Sequence, residues 1–118
     1  MQKIIITKNK SLGDSNFSYT IRHQGEDYEK ELGWTRVLGP AEGHYAICLE
    51  SNYTEGAVSG RTIGLLGIAH SKEELSDKTY RLAKDYAIAY AETMRKYGHD
   101  TEIVDTTKGT CDDLTSKL

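Results

Sequence analysis

Phe17, Tyr19, Ile21 and His23 alternate with Ser18, Thr20 and Arg22, the period-two pattern of a strand with one exposed face. Upstream, KIIIT at 3–7 is a short β-branched run that suits a buried strand, and the polar stretch at 9–16 is a turn. Gln24 to Asp27 reads as a hairpin turn with Tyr28 to Leu32 returning. A single helical turn competes there, because Glu and Lys are poor strand formers. The segment 33–44, GWTRVLGPAEGH, holds three glycines and the only proline and reads mostly as loop. Alternation resumes at Tyr45, Ile47 and Leu49, a strand. SNYTEGAVSG at 51–60 reads as a polar loop, and TIGLLGIA at 62–69 as an apolar run of strand length.

The pattern then changes period. Ser71 and Glu74 form an S-x-x-E capping box, in which hydroxyl and carboxylate reciprocally satisfy free backbone N–H groups. From there Leu75, Thr79, Leu82, Tyr86, Tyr90, Met94 and Tyr97 step by three and four. That stripe predicts an amphipathic helix of about 26 residues, near 39 Å long. Arg95 and Lys96 complement the dipole at its end, and Gly98 stands at the C-cap. A short strand over 102–105 follows.

These elements predict an α+β fold, an antiparallel sheet of about five or six strands with one long amphipathic C-terminal helix packed on one face. Residues 1–105 form a single domain, and 106–118 a polar C-terminal tail. A helix longer than its sheet leaves surface uncovered. Ala83, Ala87, Ala89 and Ala91 offer close approach to another element, so a homodimer is expected, although Ala is also the best helix former.

At 118 residues, 28% charged and 37% hydrophobic, this is one folded domain rather than a disordered chain. The net charge of −3 shows no basic face, which argues against binding duplex nucleic acid or an anionic membrane. A small anion needs only two or three donors. No run approaches the roughly 20 apolar residues of a membrane span, and MQKIIITKNK lacks the pattern of a signal peptide. Cys48 and Cys111 suggest no disulfide framework, and a cytoplasmic location is expected.

The chemistry-bearing residues are sparse. His23, His44, His70 and His99 have no ligand spacing, so neither a metal nor a cofactor is expected. Cys48 and His44 share a strand face, but four residues along a strand separate them by roughly 13 Å, too far for a nucleophile and its base. Glu73-Glu74 and Asp112-Asp113 are explained by capping and by a solvated tail. With no catalytic set, a non-enzyme is expected.

Two leads remain. Gly60, Gly64 and Gly67 match no phosphate-loop fingerprint, and two readings stand. In one, Arg61, His70, Ser71 and Lys72 surround an anion at the helix start. In the other, TIGLLGIA is a buried strand whose glycines permit close packing. The second lead is aromatic, with eight tyrosines against one Phe. Tyr86, Tyr90 and Tyr97 cluster on the helix and read as core with hydroxyls at the rim, while Tyr80 points elsewhere. Trp34 and Tyr53 fall in predicted loops. Trp34 with Arg36 suits a planar, charged group, or it folds back as a lid over the sheet edge.

Together these residues suggest a non-catalytic, intracellular, dimeric module that captures a small anionic, nucleotide-like ligand. Arg61, Lys72 and Arg36 would hold phosphates, and Trp34 or Tyr53 a base. Sequestering a nucleotide signal, as a viral counter-defence protein would, fits that economy of parts. The alternatives are a protein–protein inhibitor or adaptor acting through the acidic tail and Tyr28 to Leu32, and a small enzyme with its site at a dimer interface.

Overall fold

The computed structural model describes residues 1–9 and 18–109. Phe17, Cys111 and the Asp112-Asp113 pair lie outside them. The chain is α+β: six strands form one sheet, and a helix packs on one of its faces. The strands are β1 (Gln2–Lys8), β2 (Tyr19–Gln24), β3 (Glu29–Ala41), β4 (His44–Glu55), β5 (Val58–Ala69) and β6 (Thr101–Asp105), in spatial order β5-β4-β3-β2-β1-β6. Helix α1 (Leu75–Lys96) joins β5 to β6, and the short α2 (Thr106–Gly109) follows.

The expected antiparallel sheet is mixed. β1 to β5 meander antiparallel, but β6 runs parallel to β1, with Ile4 beside Ile103. A helix that leaves β5 at one edge and returns at the far edge fixes that direction.

The segments read as loops at 33–44 and 51–60 are mostly strand, and Trp34 and Tyr53 lie in β3 and β4. Their turns are minimal. Glu42 and Gly43, both at positive φ (53° and 82°), make the two-residue turn between β3 and β4, the type I′ pattern. Gly56 at φ 62° opens the β4–β5 turn. Gly39 and Pro40 sit where the β3–β4 register shifts, and a ladder bond is not required of proline at such a break.

The core confirms the parity of the short strands. Ile4, Ile6, Tyr19 and Ile21 are buried against Ala83, Ala87 and Ala91 of α1, and a second cluster joins Ile47, Ala69 and Leu75. The buried helix stripe is therefore Leu75, Thr79, Ala83, Ala87 and Ala91. Three of the four alanines expected to receive another element instead bring α1 close to its own sheet. Tyr86 and Tyr90 flank that stripe, but Tyr97, read as core, is 76% exposed. It is the residue after the last helical turn, in a tight C-terminal cap. There the His99 N–H donates to Met94 O, the Gly98 N–H donates to Arg95 O, and Gly98 adopts φ 90°.

The other end departs from the expected capping box. Residues 71–74 form a turn, α1 begins at Leu75, and the Ser71 side chain does not cap it. The Glu74 carboxylate still reaches back, accepting the His70 N–H at 3.0 Å.

TIGLLGIA is a strand but not a buried one. β5 is the outer strand, and Ile63 (52%), Leu65 (63%) and Ile68 (42%) are exposed. Its glycines divide. A Cβ on Gly67 would meet Leu82 Cδ1 at 2.7 Å, whereas one on Gly64 would meet nothing within 4 Å. Gly67→Val should therefore lose about 1–3 kcal/mol by overpacking against α1. Gly64→Thr should gain up to about 1 kcal/mol from reduced chain entropy and better strand propensity. Urea denaturation of the two variants checks this contrast.

Asp105 closes the sheet onto the helix. Its carboxylate accepts from the Tyr80 hydroxyl, from Lys84 Nζ at 3.0 Å, and from the Thr107 N–H and hydroxyl at 3.0 and 2.5 Å. Burial alone would raise its pKa, but the Thr107, Tyr80 and Lys84 donors bring it from 3.8 down to about 2. Because the folded value lies below the unfolded one, this stabilisation is complete above about pH 4 and is lost as pH falls toward 2. Asp105→Asn should cost about 2 kcal/mol at neutral pH and flatten the stability profile between pH 4 and 2, read by urea titration at each pH.

Candidate functional site

The seven residues singled out in the sequence fall into three places. Trp34, Arg36 and Arg61 come together on the sheet face opposite α1. His70, Ser71 and Lys72 lie where β5 turns into α1, nine residues beyond Arg61 and so about 30 Å along the strand. Tyr53 lies on the helix side of the β4–β5 hairpin, against Gly60.

Strand register builds the first group. Trp34 pairs with Glu50, Arg36 with Cys48, and Glu50 with Ile63, so alternate residues of β3, β4 and β5 project from one face. Glu50 lies at the centre with a side chain only 7% exposed. Arg36 reaches it at 3.2 Å, Arg61 at 3.5 Å, and the Arg61 guanidinium lies 5.7 Å from the centre of the Trp34 ring. A buried carboxylate without partners is costly, so these two arginines are held by a need of the fold as well as by mutual geometry. Two guanidiniums share one carboxylate, which leaves one positive charge in excess beside an aromatic face. The sequence showed Arg36, Trp34 and Arg61. Glu50, which holds them together, was not among the residues singled out there.

The helix start is chemically different. Its open cleft, about 380 Å³, is lined by Ser71, Glu73, Glu74, Asp77, Lys78 and Arg81. The His70 N–H, a candidate anion donor, is taken by Glu74, whose pKa is lowered by that bond. The His70 ring packs edge-on against His44 at 4.9 Å. Three carboxylates outnumber the two cations, Lys78 and Arg81, and Lys78 is itself paired with Glu74, so the cleft has no positive excess to offer an anion.

A second groove of about 380 Å³ opens on the helix side, between Tyr86 and the β4–β5 hairpin. Leu32, Leu49 and Leu66 line it, and its floor holds a Ser51–Thr62 hydroxyl pair at 2.8 Å. Among the described residues, no group of three or more His, Cys, Asp and Glu side chains could hold a metal ion, and no helix is long and apolar enough to cross a membrane. Burial pushes the Cys48 thiol up, away from the thiolate that nucleophilic chemistry needs. Residues 28–32, read as a sheet edge, belong to a strand interior to the sheet order, although the β4 register begins only at Trp34.

No protein-family model, curated protein or solved structure matches the chain.

The shared carboxylate makes a non-additive prediction. Arg36→Ala and Arg61→Ala should each cost under about 1 kcal/mol, since both side chains are half exposed and one partner remains. The double variant should exceed their sum by about 1 kcal/mol or more, because Glu50 then stays buried and unpaired. A double-mutant cycle in urea measures that coupling.

Proposed function

We propose that the chain is a non-catalytic binding module that captures a small anionic, nucleotide-like ligand on the open face of its sheet. The observation that carries this reading is the Trp34–Arg36–Glu50–Arg61 cluster, with its unbalanced guanidinium charge next to an indole ring. Guanidinium forks match phosphate oxygens in a bidentate way, and the indole offers a flat surface to a base. The donors project from paired strands, so little ordering is required of them on binding. Lys72, His70 and Ser71 are too distant to take part in the same small-molecule site, and Tyr53 projects from the other face.

The test is thermal or urea denaturation of the protein against a panel of nucleoside mono-, di- and triphosphates, cyclic nucleotides and inorganic phosphate. A ligand at 100 times its dissociation constant should add about 2.7 kcal/mol of apparent stability. Trp34→Ala and Arg61→Ala, each folded, should abolish the increment. No stabilisation across the panel, or stabilisation that survives both changes, defeats the proposal. A ligand recovered chemically altered after heat release would point to an enzyme instead.

A further inference from the structure

The two outer strands of the sheet are unlike. β6 is five residues long, carries Glu102 and Asp105, and is followed at once by α2, whose Thr106 hydroxyl donates to Ile6 O at 2.7 Å. β5 is twelve residues long and carries a single charge, Arg61, which is turned toward Glu50. The sheet order ends there, and α1 packs on its last residues, Gly67 and Ala69, with Tyr86 facing Leu66 across an open groove. Sheet edges are ordinarily kept from pairing by charges, proline, bulges, shortness or a covering element. Over 58–65 β5 shows none of these except Arg61, and the irregularity at Leu66 bounds that stretch.

Its side chains extend the argument. Ile63, Leu65 and Ile68 project on the open face beside Leu38 of β3, and Val58 projects on the other. Each of the five is 40% exposed or more. The four on the open face leave about 400 Å² free, at the level where an apolar patch on a soluble chain marks an interaction site. It is also about half of the ~800 Å² each partner contributes to a stable interface, and strand backbones can supply the remainder.

We infer that β5 is a self-association edge, on which β5 of a second copy pairs antiparallel to continue the sheet. Charge selects a second copy as the occupant. The strand is nearly neutral between Thr62 and Ala69, so two copies meet without like charges opposed. A two-fold axis at Ile63 sets Ile63 against itself and Arg61 against Leu65 of the second copy. The two Arg61 positions are then about 13 Å apart along the strand direction. Such an isologous contact closes on itself as a dimer, whereas an unspecific apolar edge would grow fibres. The inference stands apart from the ligand reading, since it concerns mass and backbone pairing rather than Trp34 and Arg36.

Sedimentation equilibrium of the full chain tests it, together with hydrogen exchange at several protein concentrations. The chain should sediment at twice its mass at micromolar concentration. Amides within 59–66 should become more protected as concentration rises, while those of β1 and β2 stay constant. The double variant Ile63→Lys, Leu65→Lys should sediment at half the wild-type mass with an unchanged circular dichroism spectrum, since both side chains face solvent. A wild-type chain that stays monomeric overturns the inference. So does a double variant that remains dimeric, or exchange in 59–66 that ignores concentration. Exchange on the wild-type chain decides the matter even if the variant does not fold.

Discussion

One helix has to carry the chain from one edge of the sheet to the other. Six strands at about 4.8 Å spacing put β5 and β6 about 24 Å apart, and the 22 residues of α1 span about 33 Å. The helix can make that crossing in one piece only on a diagonal, close to the sheet. Ala83, Ala87 and Ala91 let it lie close over β1 and β2, and Gly67 admits Leu82 where it starts over β5. β6 is then delivered next to β1 in the same direction, which is why an otherwise antiparallel meander ends in a parallel pair. Asp105, bound by Tyr80 and Lys84 of the helix and by Thr107 beyond the strand, fixes the arrival point.

Because one helix covers one face, the opposite face has to be solved by its own side chains. Over β3, β4 and β5 that solution is electrostatic. Glu50 is shielded by Arg36, Arg61 and Trp34 instead of by a second layer of structure. Replacing a whole buried ion cluster with well-packed apolar residues is commonly neutral for stability, so the cluster is not explained by stability alone. In the proposed binding reading, the Glu50 carboxylate keeps two guanidiniums aimed and only partly neutralised. The groove beneath Tyr86 has apolar walls and a paired hydroxyl floor, but it lacks any such concentration of charge.

The legible parts of the sequence were those with a local cause. Period-two alternation located Tyr19–Ile21–His23 and Tyr45–Ile47–Leu49, and the turn expected at 24–27 falls one residue later, at 25–28, with Gln24 paired to Glu29. Gly39, Pro40, Gly43 and Gly56 misled, because glycine and proline mark a break in the ladder without saying whether it lasts two residues or ten. Two positive-φ turns proved enough. The clustering of Trp34, Arg36 and Arg61 was legible as chemistry and illegible as place. Only strand register, a non-local property, puts residues 34 and 61 on the same face and residue 53 on the other. The separation of the helix start from that cluster has the same origin, since a strand treats nine residues as a long distance.

The glycine-rich strand shows how one irregularity can decide a whole surface. Ile47 pairs with Gly67 and Cys48 with Leu65, so Leu66 is an extra residue, a bulge. Without it, strict alternation would carry the helix-facing set 60, 62 and 64 on to 66 and 68, pointing Ile68 at α1 and Gly67 and Ala69 outward. The bulge reverses parity between Leu65 and Gly67. The small residues turn under the helix, where Leu82 needs the space, and Ile68 joins Ile63 and Leu65 on the open face. An apolar run with glycines thus reads as a buried strand yet serves two surfaces. Its last residues seat the helix, while its middle presents Arg61 and an apolar edge in one plane. The same insertion that lets α1 dock also adds Ile68 to the exposed apolar row of Ile63 and Leu65, so the seating of the helix and the extent of that row share one irregularity.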